Sequence, residues 1–258
     1  MSAASLAAAR RAGVTAAAAG RPQRSLAASP GTSPPATMDA SFTPDRLGAP
    51  TSVSFRVDID PPALVPPPLQ TVEVFYPRTL GLATSGLGLA SCSAALLLSE
   101  TTAACPANSR MGSGSALVEV PFGPETVSEH VTLQIYAAPS SDGYLHLDVL
   151  AHGAEPVFAS IVITGILLPG RLQLSIPPIP SLPGAPYASV VIISASLGAN
   201  LTYLEHVHGR LVPYHPRGIG LPDSCPRGGF RLGASFSFTD GQRSLASTAV
   251  PCPTHRAH

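Results

Sequence analysis

The chain has 258 residues, 45% of them hydrophobic and only 12% charged, and its 15 basic residues, all arginine, balance 15 acids. Scattered arginines with zero net charge leave no electrostatic footprint for nucleic acid or anionic lipid. With 29 prolines and 23 glycines long helices are excluded, because either residue breaks the helical ladder or adds to its entropic cost.

Tryptophan is absent and aromatics make up 5% of the chain, which argues against an aromatic sugar platform or a base-stacking surface. The hydrophobic fraction still supports a real core, in one large β domain or two small ones.

Residues 1–37 are rich in alanine, serine and proline, with arginines at 10, 11, 21 and 24 and almost no large apolar side chains. Such a segment cannot bury enough surface to offset its ordering entropy and reads as a disordered arm. A degenerate export signal is the alternative: the stretch after Arg10-Arg11 is only weakly apolar and ends at Arg21.

From Met38 the character changes. Val53, Phe55, Val57 and Ile59 alternate with polar residues, the period of a half-buried strand. Pro61-Pro62 and Pro66-Pro67-Pro68 form an extended connector, and 71–76 is the next strand.

The segment between Cys92 and Cys105 holds a short apolar run, Ala94 to Leu98, and Pro106 and Gly112 mark its exit. It predicts one short helix within a run of strands. Strands follow at 117–120, 131–135, 145–149, 157–168 and 172–176. Asp142-Gly143 signals a hairpin, so the strands on either side of it should be antiparallel neighbours.

The proline-rich segment 177–184 reads as a stiff connector between sheets and as the place where two subdomains would divide. Strands at 189–197, 201–208, 210–214, 230–238 and 246–250 complete the set, and 255–258 is a tail. Short strands with glycine and proline turns predict an all-β fold, an antiparallel β-sandwich or jelly roll over residues 38–254. No window reaches eighteen uninterrupted apolar residues, so no transmembrane segment is expected.

Four cysteines allow three pairings. Cys92 with Cys105 and Cys225 with Cys252 are favoured, since each pair is local and flanks one compact unit. Four buried free thiols are the opposing reading. A zinc site fits less well, because no Cys-x-x-Cys pair occurs.

His206 and His208 would share a face of one strand, with His215 within reach of a hairpin, but a catalytic zinc needs a third ligand and an open position. Asp58 and Asp60 share a face and read as solvent-facing rather than as a glycosidase pair or a calcium site. Gly112-Ser113-Gly114-Ser115 lacks the spacing and following helix of a nucleophile elbow. Asn200-Leu-Thr202 is a glycosylation sequon. No motif implies a cofactor.

Leu80-Gly81, Cys92, Cys105-Pro106-x-x-Ser109, Gly112, Ile176-Pro177-x-x-Pro180, Cys225-Pro226 and Pro251-Cys252-Pro253 are spread over residues 40–254. In these features the chain resembles a set of uncharacterised exported β-rich proteins of GC-rich, actinomycete-type bacteria, whose coding bias also matches the absence of lysine. The resemblance implies an exported β protein with paired cysteines and no established activity. The expectation is therefore an extracellular or cell-surface, non-catalytic structural or binding module that meets a glycan or protein. The opposing hypothesis is a secreted hydrolase or metal-dependent enzyme using His206, His208 and His215.

Overall fold

The structure is a computed structural model and describes residues 33–60, 65–82, 90–100, 104–198, 203–214 and 219–253. Of the N-terminal arm drawn over 1–37, residues 1–32 lie outside the described residues, as do the C-terminal tail, His215 and Asn200-Leu-Thr202, while residues 36 and 37 belong to the first strand.

Among the described residues eleven strands form one sheet. In chain order these are β1 (Ala36–Thr43), β2 (Ser52–Ile59), β3 (Leu69–Phe75), β5 (Arg110–Phe122), β6 (Glu125–Ala138), β7 (Leu145–Gly153), β8 (Ala159–Leu168), β9 (Arg171–Ser175), β10 (Ser189–Gly198), β14 (Phe230–Phe238) and β15 (Arg243–Val250). Four shorter strands form two small ladders, β4 (Gly81–Leu82) with β13 (Ile219–Gly220) and β11 (Tyr203–Val207) with β12 (Arg210–Tyr214).

Across the large sheet the order is β1-β2-β10-β5-β6-β7-β8-β9-β3-β14-β15, every neighbour antiparallel. An odd number of alternating strands leaves the two edges, β1 and β15, running in the same direction. They come side by side, and the Ser244 hydroxyl on β15 donates to the carbonyl of Pro34 just before β1. The sheet is thus nearly closed, a barrel-like fold.

The all-β antiparallel expectation holds, and its sandwich or jelly-roll form is not confirmed. A sandwich needs two sheets with free edges between them, but here the ladder continues through β2-β10-β5 on one side and β9-β3-β14 on the other. The division near 177–184 changes meaning for the same reason: β9 and β10, on either side of that connector, belong to the same sheet.

The period-2 pattern sets the inward face. Met38, Phe42, Val57, Leu133, Leu147, Leu232 and Phe236 are buried, with polar neighbours between them. Phe42 and Phe230 meet edge to face, with centroids 5.2 Å apart. At one end of the barrel the segments 46–51 and 219–222 interlock. Gly48 N–H donates to Leu221, Thr51 N–H to Ile219 and Leu221 N–H to Ala49, burying Leu47, Ile219 and Leu221.

The expected helix, α1 (Ala94–Glu100), lies on the outer face of the sheet. Leu97 packs with Tyr136 and Leu150 and with the Cys92–Cys105 disulfide. Ser93 caps α1, its hydroxyl accepting from Leu96 N–H at 3.4 Å. Burial pushes the Asp148 carboxyl up, partly opposed by the Ala94 amide at the start of α1. The second disulfide, Cys225–Cys252, ties the 221–229 loop to the chain beyond β15. Loops spanning 13 and 27 positions correspond to about 3 and about 3.5 kcal/mol in the chain-entropy model.

Candidate functional site in the barrel interior

Eight-stranded barrels are wide enough to be filled by side chains, and wider ones enclose cavities. Here the inward rows of nine strands, from β2 round to β14, surround an apolar void of about 110 Å³. Its walls are mainly Val, Ile and Leu, and Ala116, Ala151, Ala159 and Ala195 leave the space that larger side chains would fill. A second apolar void of about 70 Å³ lies toward the 46–51 end, beneath Leu80, Ile219 and Leu232. Phe55, Val74, Leu172 and Leu197 line both voids and form the waist between them.

One ionisable group stands among the described residues lining the larger void, Glu129. It falls in the inward row of β6, in phase with Val131, Leu133 and Ile135, opposite Val118 of β5. The ladder with β7 begins only at Thr132 paired with His152, so Glu129 sits where the chain leaves β7 at Gly153 and turns through 154–158 into β8.

Glu129 is 4% exposed, and its Oε1 has no hydrogen-bond partner. Burial pushes its carboxyl above the ordinary range, with the backbone amides of Val157, Ala154 and Glu155 and the charge of His152 pulling the other way. Gly153 makes room for it: a Cβ there would lie 2.2 Å from Oε1. From the far side Ile176, Ile179 and Pro180 of the 176–188 connector close over the same end. The segment expected to join two sheets therefore caps the lumen of one.

The residues singled out from sequence lie elsewhere. His206 is on β11 opposite Leu211. His208 is outside that strand, which ends at Val207. His208 and Gly209 have φ of 51° and 77°, the pair of positive values a two-residue type I′ hairpin turn requires. The period-2 argument that put both histidines on one face fails there, because the turn breaks the alternation. Among the described residues no group of three or more His, Cys, Asp or Glu is placed to hold a metal ion.

Asp58 receives two hydrogen bonds from the exposed Arg56 guanidinium, at 2.7 and 2.9 Å. Gly112 and Gly114 lie in β5, where a Cβ would come within 2.3 Å of β10 carbonyl oxygens. They serve close strand approach. The four cysteines form the two local disulfides.

Glu129 was not among the sequence candidates, although a signal existed. It precedes Val131 by two positions, so the alternation that points Val131, Leu133 and Ile135 inward points this carboxylate inward too. No family model, curated protein or solved structure matches the chain, so the site rests on its own chemistry.

Proposed function

We propose that the chain is an exported, non-catalytic β module that binds a small apolar molecule inside its sheet. The observation that carries this reading is the unfilled apolar lumen of about 110 Å³. Protein interiors normally pack to the density of organic crystals, and a dry cavity of about 150 Å³ lined by Leu, Ile and Phe admits benzene. Two disulfides fit an oxidising, extracytoplasmic compartment.

Benzene titrated into the methyl-labelled protein tests the binding part. Saturable shifts of the Val131, Leu147 and Ile163 methyls are expected, and unchanged methyls would refute it. Intact mass of protein from its native host, alkylated with and without prior reduction, tests export. Four thiols reactive without reduction would remove that part of the reading.

A second reading is a neutral glycan on the outside. A shallow groove of about 430 Å³ crosses β1, β2, β10 and β5 and is lined by Ser41, Ser54, Ser113, Ser115, Ser194 and Ser196, where Ser54 donates to Ser196 at 3.0 Å. Glycan-array binding that is lost in a Ser113→Val, Ser196→Val variant would favour it over the lumen.

A further inference from the structure

We propose that the molecule held in the lumen is a short aliphatic amine, its ammonium head bound by Glu129 and its alkyl chain running toward Phe55. The proposal rests on the interior-binding reading above and adds the chemistry of the head group.

Three observations lead to it. The larger void is apolar around nearly its whole wall, and Glu129 brings the one ionisable group to it among the described residues. That side chain is 4% exposed, and Oε1 is left without a donor. Gly153 supplies the space in which this oxygen sits.

A carboxylate acceptor in such surroundings is costly until a donor reaches it, and a charged donor compensates more than a neutral one. A water molecule meets the need poorly. Buried waters make two to four polar contacts, and apart from the backbone amides of Ala154, Glu155 and Val157 that already act on the carboxyl the other described residues lining the void are apolar. A ligand carboxylate would place like charges together. An alcohol offers a hydrogen bond without charge neutralisation, and an ammonium offers both.

The described titratable group acting on Glu129 through space is His152, on the neighbouring strand. The His152 ring is already engaged, with Nδ1 2.9 Å from the Ser160 hydroxyl and the ring edge-to-face with Phe158, so His152 does not supply the donor that Oε1 lacks.

Size limits the chain. A void of about 110 Å³, compared with the benzene-sized cavity of about 150 Å³, takes roughly four to six heavy atoms. The waist at Phe55, Val74, Leu172 and Leu197 stops anything longer from reaching the second void.

The test is calorimetric titration of the full chain at pH 7 with n-pentylamine and n-pentanol, repeated on Glu129→Gln, with methyl shifts of Val131 and Val157 locating the bound molecule. The expected result is about tenfold tighter binding of the amine than of the alcohol, the difference between a charge-assisted and a neutral hydrogen bond. In Glu129→Gln that preference should fall to less than about twofold, with alcohol binding retained.

Equal affinities for amine and alcohol in the wild type, unchanged in the variant, would overturn the amine while leaving interior binding intact. If neither compound moves the lumen methyls, interior binding itself falls. Should Glu129→Gln fail to fold, Glu129→Met removes the charge at similar volume and serves the same comparison.

Discussion

Replacing Glu129 with Gln separates the electrostatic penalty of this residue from its packing. The residue is 4% exposed, and one of its two carboxyl oxygens has no partner. Burial raises its folded pKa above the unfolded value near 4.5. A raised carboxyl pKa means that the fold prefers the protonated form. The penalty is absent below the unfolded pKa, grows as pH rises through the folded pKa, and is complete above it.

An unsatisfied buried acceptor costs about 1–3 kcal/mol, and the three nearby amides offset part of this. The variant should therefore gain about 1 kcal/mol at pH 7, or about 2–4 °C in Tm for a domain of this size. The gain should vanish near pH 4, where the wild-type carboxyl is protonated in both states. Thermal melts of both proteins from pH 4 to 8, in the absence of amines, measure this. A wild type more stable than the variant at pH 7 would refute the reasoning, because it would mean that the amides hold the carboxylate better than water does. So would a stability difference that does not change with pH.

Gly153→Ala should destabilise by about 1–3 kcal/mol through overpacking against Oε1, and combining it with Glu129→Ala should recover most of that loss in a denaturant double-mutant cycle. Leu172→Ala should cost about 2–5 kcal/mol by urea unfolding and join the two voids. Alkyl ligands two or more carbons longer than those of the wild type should then move the Leu80 and Leu232 methyls. A Cys92→Ala, Cys105→Ala variant should lose about 3 kcal/mol and expose α1 amides to rapid hydrogen exchange, while the β14–β15 ladder stays protected.

Much of the fold was legible because it is local. Alternation over 53–59 and 131–135 marked strands and their buried faces, since a side chain's face follows from its position along a strand. The Asp142-Gly143 hairpin joins β6 and β7 as expected, with Gly143 at φ 83°. The Ala94–Leu98 run became α1. The missed strand β1 (Ala36–Thr43) spans the border drawn at residue 37, where alanine and threonine give little hydrophobic contrast, although Met38, Ala40 and Phe42 share its inward face.

Other features depended on contacts between distant segments. Whether the strands make two sheets or one barrel depends on β2 meeting β10 and β3 meeting β9, pairs separated by well over a hundred and by about a hundred positions. Alternation within a strand carries no information about its partner. The role of 177–184 as a lid over the lumen, and the void that the alanines leave, likewise follow from closure.

Glu129 lies between these two levels. Its inward phase is written in the chain, because parity along β6 is a local property. That it faces an apolar void with one oxygen unpaired is decided only when β7 ends at Gly153 and the 154–158 turn and the proline-rich connector fold over it, since burial is a property of everything packed around a group.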